Sequence, residues 1–487
     1  MRFNISWTTA SIFTAGVILF FYIAIKASIS SFTHDESFTY LHYPHDTFMN
    51  IISYKNFYTN NHILNSLLMK YSELLFGSSE FALRLPNLLL FIVYMIYSYL
   101  LFRKTNQFLS VAIFILLCAN SSLIDLFGLA RGYGLSFGFM LMSLYHFIQS
   151  FYNQKTKNIL LFHLAALLAI LSSFTLLIFY INLLLIYNVV IFVDCKFISN
   201  KKYLFLVANK IHAIALLPVI IVLYEPVRRM LKSDYDFGGK NSFYDDTVTS
   251  LIETCFHYIN ISPLALTVLQ ILFTCIALIS FVIILRMYFR KSKTFFIYHK
   301  RLIISSFLII FLSLTIISLH IIVKMDYPIA RFSVFLFPIF IIHLGFLISY
   351  FINSGYRKFS YVIILGLALS SVTIFIRKTD LYSCSQWAYD METKNMIQKL
   401  ISFKKANETE TKKLKLGINW IFEPTINFYR ETWGLEWLLP VDRNGISKDD
   451  NYYYIFKNEL SEFNSIDYQI IFDFEKTNTL LLKNKSN

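Results

Sequence analysis

A histidine and two carboxylates stand together at His34-Asp35-Glu36, a few residues beyond the first segment apolar enough to span a bilayer. An ionised side chain facing lipid costs roughly 2.5–3.5 kcal/mol at full depth and less near the interface. Two adjacent carboxylates at a membrane exit therefore predict a polar cavity where they do chemistry or bind an ion. The stretch from Thr33 to Asn65 adds His42, His45, Asp46, Asn60, Asn61, His62 and Asn65. For His42, His45 and Asp46 a solvated loop explains the residues as well as a site does. Asp35 and Glu36 carry the prediction.

Cations recur at three other positions expected on the same side of the membrane. Arg131 sits in Leu-Ala-Arg-Gly-Tyr, and Lys324, Tyr327 and Arg331 share Lys-Met-Asp-Tyr-Pro-Ile-Ala-Arg-Phe. Each cation could simply reach up to lipid headgroups. The alternative is that they hold a phosphate: the planar fork of arginine gives charge-assisted bonds to phosphate oxygens, and an anionic leaving group needs such charge as its bond breaks.

The elements that must position these groups are membrane helices. The 487 residues are 56% hydrophobic and only 15% charged, with a mean hydropathy of +0.54, more apolar surface than a soluble domain could hide. Spans are predicted over Trp7 to Ile25, Arg84 to Phe102, Phe108 to Ile124, Gly132 to Phe151, Ile159 to Leu171, Phe174 to Val193, Tyr203 to Leu223, Leu264 to Met287, Leu302 to Val323, Phe332 to Phe351 and Ser360 to Ile376. The result is an α-helical polytopic membrane protein of about eleven spans, the first an uncleaved anchor. The basic clusters Arg103-Lys104, Lys155 with Lys157, Lys196 with Lys201-Lys202, Arg286 to Arg301 and Arg357-Lys358 fall on one side, cytoplasmic by the positive-inside rule. The N-terminus is then cytoplasmic, while Asp35, Glu36 and the C-terminal part lie outside. His62 to Leu75 has the spacing of an amphipathic helix lying on the membrane, able to floor a site there.

Near Leu381 the composition turns from apolar to mixed. Residues 1–380 are expected to form the membrane domain, with residues 26–83 as its first external loop, and residues 381–487 a small extracytoplasmic α/β domain. In that domain Trp387 to Phe403 and Pro424 to Trp433 read as helices, and Lys413 to Ile418, Tyr452 to Phe456 and Tyr468 to Phe474 as strands. The net charge of +14 lies mostly in short clusters between apolar runs, where it orients helices and meets anionic lipid; nucleic acid is not an expected partner. The five cysteines have no metal-type spacing, and Cys255 with Cys384 is the pair that could meet outside the cytoplasm.

The acidic pair after the first span, the stretch Asn-Asn-His-Ile-Leu-Asn-Ser-Leu-Leu leading to Phe-Gly-Ser-Ser-Glu-Phe-Ala-Leu-Arg-Leu-Pro-Asn, and the late Tyr-Pro-Ile-Ala-Arg-Phe together resemble the polytopic GT-C glycosyltransferases. The resemblance is to the bacterial branch of protein O-mannosyltransferase-like and lipid A aminoarabinose transferase-like enzymes. It covers residues 1 to about 380 in architecture, with its specific motifs in the first hundred residues and around Arg131 and Arg331. The His-Pro-Pro-like segment common there stands here as Asn61-His62-Ile63, without prolines.

The resemblance implies inverting transfer of a sugar from a polyprenyl-phosphate donor to a glycan, lipid or protein acceptor on the extracytoplasmic face. Asp35 would be the general base, with Glu36, His62 or His34 positioning it or sharing a divalent metal ion. Arg131 and Arg331, with Lys324 and Tyr327, would hold the lipid phosphate. Abundant Phe, Ile, Lys and Asn suggest an AT-rich bacterial genome and an inner-membrane location. Two competing readings remain. A flippase or transporter predicts charges deep within helices and repeat symmetry. A lipid-linked glycan polymerase or ligase predicts key residues in a late external loop, for which Glu225 to Phe256, with Arg228, Arg229, Asp245 and Asp246, is the candidate.

Overall fold

The computed structural model describes residues 7–55, 60–153, 156–198, 202–230, 238–256, 261–289, 298–406, 413–463 and 467–485. In chain order the helices are α1 (Trp7–Ile29), α2 (His34–His42), α3 (Phe48–Ile52), α4 (Ile63–Phe76), α5 (Glu80–Phe102), α6 (Gln107–Cys118), α7 (Ser121–Phe127), α8 (Gly132–Asn153), α9 (Thr156–Ser172), α10 (Leu176–Ile198), α11 (Lys202–Met230), α12 (Thr249–Cys255), α13 (Pro263–Phe289), α14 (Lys300–Ser318), α15 (Leu336–Asn353), α16 (Arg357–Lys378), α17 (Thr393–Ala406) and α18 (Glu423–Thr432). This is an integral membrane protein. All eleven predicted spans fall on helices. Among the described residues seven are long and apolar enough to cross a membrane, or eight if α6 and α7, bent by 65° at their junction, count as one broken span.

Three helices miss that standard: α9 and α10, whose described apolar runs, Thr156–Ser172 and Leu176–Phe192, are shorter, and α8, whose surroundings explain why. α8 is buried along nearly its whole length, Tyr133, Phe137, Leu141 and Phe147 lying in the main core, so it need not present an apolar face to lipid all round. By contrast only 6% of the most apolar stretch of α13 is buried, which makes it the lipid-facing extreme. A buried ion pair, Lys26 with Asp125, ties the end of α1 to α7.

The C-terminal part carries a four-stranded sheet of β1 (Leu416–Ile418), β2 (Tyr452–Phe456), β3 (Tyr468–Phe474) and β4 (Thr479–Asn484). Its order is β1-β2-β4-β3, with β1 and β2 parallel and the other pairs antiparallel. Successive residues of β2 feed cores on opposite faces: Tyr452 and Tyr454 pack with Leu481 and the helices, and Tyr453 and Ile455 with Leu480 and Leu482. The helix-side core does not stop at residue 381. It takes in Phe32, Tyr40, Met69, Leu83 and Ala130 from the membrane part, with the Phe32 and Phe428 rings stacked at 4.2 Å. Cys255 and Cys384 are separate buried free thiols, so the suggested disulfide is not formed.

Candidate active site

Glu36 and Asp35 begin the same helix and face different neighbours. Glu36 is fully buried. Its carboxylate reaches back to the Thr33 backbone N–H (2.9 Å) and hydroxyl (3.0 Å), as in a capping box that ends the chain's exit from α1. It also accepts from the Ala130 N–H at 2.6 Å and from Nε and Nη2 of Arg84 at 2.8 and 2.7 Å. Arg84, itself fully buried near the start of α5, turns its remaining donors to the carbonyls of Ala27, Ser30 and Ser31 and the Ser30 hydroxyl at 2.8–3.0 Å. A cation there satisfies the carbonyls left open at the end of α1. Glu36 and Arg84 thus fasten α1, α2, α5 and the 130 turn to one another.

Asp35, one residue earlier, meets two guanidiniums. Its Oδ2 lies 3.5 Å from Nη2 of Arg131 and 3.4 Å from Nη2 of Arg331, yet this buried oxygen has no hydrogen-bond partner among the described residues. Burial pushes the carboxyl up, and the charges of Arg131 and then Arg331 outweigh it, leaving it below its ordinary value. The group is an anion with one oxygen open to a further donor.

The two arginines are held differently. Arg131 is buried, giving Nη1 to the Thr39 hydroxyl (2.9 Å) and the Asn60 carbonyl (3.2 Å), and Nη2 to Asn60 Oδ1 (2.6 Å). Its turn is clamped by Asn65, whose amide donates to the Ala130 carbonyl at 2.8 Å, and by Asn87, which donates to Asn65 and accepts from the Leu135 N–H. Gly132 is required by close approach: a Cβ there would stand 1.8 Å from the Ser172 carbonyl oxygen and 2.7 Å from the His62 ring. Arg331 is 22% exposed, with Nε on the Tyr133 hydroxyl at 3.1 Å, Nη1 on Gln386 at 3.3 Å, and the Trp387 ring 5.2 Å away.

The histidines buttress the site. His62 Nδ1 donates to the Ser172 carbonyl at 2.7 Å and its ring meets Tyr133 edge-on. Burial and the charge on Arg131 hold its imidazole well below the ordinary value, so it is neutral, with Nε2 as an acceptor. His34 Nδ1 is bonded to the Ile421 carbonyl at 2.6 Å. The other two expected phosphate ligands make no contact with Asp35 among the described residues. Lys324 is exposed, in a left-handed cap after the last turn of its helix. Tyr327 is buried, pairs by its backbone with Gly239 and stacks on His320 at 4.0 Å.

The suggested metal set of Asp35, Glu36 and His62 does not assemble. No group of three His, Cys, Asp or Glu side chains converges among the described residues. Glu36 is occupied by Arg84, and Asp35 faces two cations, surroundings that favour an anionic ligand over a metal ion. Sequence reasoning did not assign Arg84, Asn65, Asn87, Tyr133, Gln386 or Trp387. The legible signal for the first was a cation inside an apolar span.

No protein-family model matches the sequence, and no curated protein matches it. Solved structures do. The chain is similar to ArnT from Cupriavidus metallidurans in the apo state (11% identity, 97% of each chain covered, TM-score 0.48) and to the same protein bound to undecaprenyl phosphate (11%, 97% of each, 0.49). It is also similar to the oligosaccharyltransferase AglB from Archaeoglobus fulgidus in complex with an inhibitory peptide and a dolichol-phosphate (13%, 94% of this chain and 70% of that one, 0.45). The likeness lies in the course of the backbone, and the chemistry below rests on this chain's own side chains.

Proposed function

We propose that the protein transfers a sugar from a polyprenyl-phosphate-linked donor to an acceptor hydroxyl at the extracytoplasmic membrane surface, with inversion. The observation that carries this reading is the ionised carboxylate of Asp35, one buried oxygen without a hydrogen bond, set between two arginines of which one is partly exposed.

The acceptor O–H donates its proton to Asp35 Oδ2 as its oxygen bonds to the anomeric carbon. The bond from that carbon to the phosphate oxygen breaks, and the phosphate leaves with the electron pair, its charge met by Arg331. A base of this kind contributes about 10²–10⁴-fold. Arg131, fixed by Thr39 and Asn60, holds Asp35 in the charged state, while the partly exposed guanidinium of Arg331 can turn to the phosphate. As it turns away from Asp35, the carboxylate regains proton affinity, so the base strengthens when donor is in place. Inversion is supported by the count of available carboxylates. A double displacement needs a second one as nucleophile, and Glu36 is taken by five donors.

The positive-inside pattern puts this site outside and the N-terminus inside. The membrane setting suits such a donor, whose isoprenoid tail stays in lipid while the phosphate-sugar head enters the cavity. The late-loop alternative has less to work with: Arg228 and Arg229 are both paired with Glu225 at 2.7 Å, and Asp246 accepts from the Asn241 and Ser242 N–H groups. The test is transfer of labelled sugar from a panel of polyprenyl-phosphate sugars, in membranes containing wild type or Asp35→Asn. Donor consumption by wild type alone supports both the reaction and its base. Consumption by neither, with both folded, points to translocation instead.

A further inference from the structure

The start of α2 has more backbone donors than the membrane part can satisfy. The Thr33 N–H is taken by Glu36, but those of Phe32 and His34 are not met from residues 1–380. Both are met by the C-terminal part. The Phe32 N–H donates to the Tyr429 hydroxyl at 2.8 Å, and the His34 N–H donates to Asp390 Oδ2 at 2.6 Å.

Each acceptor is itself held. Tyr429 is fully buried and donates to Glu80 Oε1 at 3.2 Å, and Glu80 is paired with Lys394 of α17 at 2.7 Å. Asp390 is buried, and its Oδ1 accepts from the Thr393 hydroxyl at 3.2 Å. The His34 ring is pinned by the Ile421 carbonyl. The same part of the chain supplies Gln386 and Trp387 against Arg331. Residues on both sides of the Asp35 carboxylate are therefore placed by the last hundred residues.

We propose that the C-terminal unit is a component of the active site, in which Asp390, with Tyr429, acts as a positioning residue that holds the first turn of α2 and so fixes Asp35 against its substrate. This rests on the reading of Asp35 as the base. Asp390 touches no reacting atom; it sets where the next residue's carboxylate stands. Burial pushes the Asp390 carboxyl up to about 8, so near neutrality much of it is protonated and still accepts the His34 N–H through its carbonyl oxygen. An asparagine would supply the same acceptor.

The experiment compares Asp390→Ala and Asp390→Asn for kcat and donor KM, with backbone amide exchange read over residues 32–38 and, as a reference, residues 63–76. A displacement near 1 Å costs about 100-fold in rate. The expected result is a 10- to 100-fold fall in kcat for Asp390→Ala with donor KM little changed, faster exchange confined to residues 32–38, and recovery of most of kcat in Asp390→Asn. Unchanged kcat in Asp390→Ala, or an equal loss in both variants, overturns the proposal. If Asp390→Ala yields no folded protein, Tyr429→Phe removes the other acceptor with little change in shape. Faster exchange at residues 32–38 and lower kcat in that variant support the clamp, and unchanged exchange overturns it. Wild type that transfers no sugar defeats the glycosyltransferase reading, whereas the exchange data still decide whether the clamp exists.

Discussion

Asp35 and Glu36 are neighbours in sequence with the same charge, and their surroundings could hardly differ more. Glu36 receives five donors and sits in a forked pair with Arg84. Asp35 has charge beside it from Arg131 and Arg331 but an oxygen without a hydrogen bond. A saturated buried carboxylate has nothing left to offer a substrate and works as a fastener. An unsaturated one carries a cost that only a ligand relieves, and such cost gathers where function is. The contrast also gives a reason for two acidic residues to stand together: the fastener is the shortest possible tether for the proposed base.

The largest effect should come from Asp35→Asn. Transfer should fall by about 10²–10⁴-fold, with folded protein recovered at wild-type yield, because the amide keeps the shape and Arg131 retains Thr39 and Asn60. Near-normal transfer would place the base elsewhere. Next is Glu36→Ala, which strands the Arg84 charge in a buried site. Stability should drop by about 3–5 kcal/mol, read as a lower melting temperature in detergent. A variant that melts normally and loses only transfer would erase the distinction between the two carboxylates.

Arg331→Ala should raise donor KM by about 10- to 150-fold, the worth of a charge-assisted hydrogen bond of 1.5–3 kcal/mol. It should also move the acid limb of the kcat/KM profile. Burial raises Asp35, and with the guanidiniums in place the folded group titrates below its ordinary value; the base then stays ionised until pH falls past that lowered value. Without Arg331 the limb shifts to higher pH, and an unmoved limb would separate Arg331 from Asp35. The last effect concerns stability against pH. Asp390 is raised by burial from 3.8 to about 8, so above pH 3.8 the unfolded chain binds fewer protons than the folded one. Its contribution makes stability decline as pH rises from about 4 to 8 and level off beyond. Asp390→Asn should flatten that part of the melting-temperature curve, and an unchanged slope would show that Asp390 is ionised throughout.

Much of this was legible in the sequence. The eleven helices follow from apolar runs, and the Asp35 pair stands out because charges at a membrane exit are expensive. The resemblance implied separate roles for Asp35 and Glu36, but a linear reading could not supply the packing that divides them. The partner that separates them, Arg84, lies 48 residues away, and its fork is visible only when α1, α2 and α5 are packed. Arg331 and Lys324 were both expected near the phosphate; a left-handed cap leaves Lys324 exposed, while a short 3-10 turn, Ala330–Phe332, carries the arginine that reaches Asp35. Strand β4, Thr-Leu-Leu-Leu-Lys-Asn, is buried on both faces and lacks a polar-apolar alternation; β2 is buried on both faces too, but its run of β-favouring aromatic residues marks it as a strand. The composition change near residue 381 was visible, but a core crossing it through Phe32 and Tyr40 leaves no local pattern.

The bond from the His34 N–H to Asp390 spans 356 residues of chain. A ribosome therefore delivers Asp35 to the membrane long before the residue that caps its helix exists. A chain interrupted before Asp390 lacks both acceptors, Asp390 and Tyr429, that meet the His34 and Phe32 N–H groups. The hydrogen bond from the His34 N–H to Asp390 can form only after the chain has been made as far as residue 390.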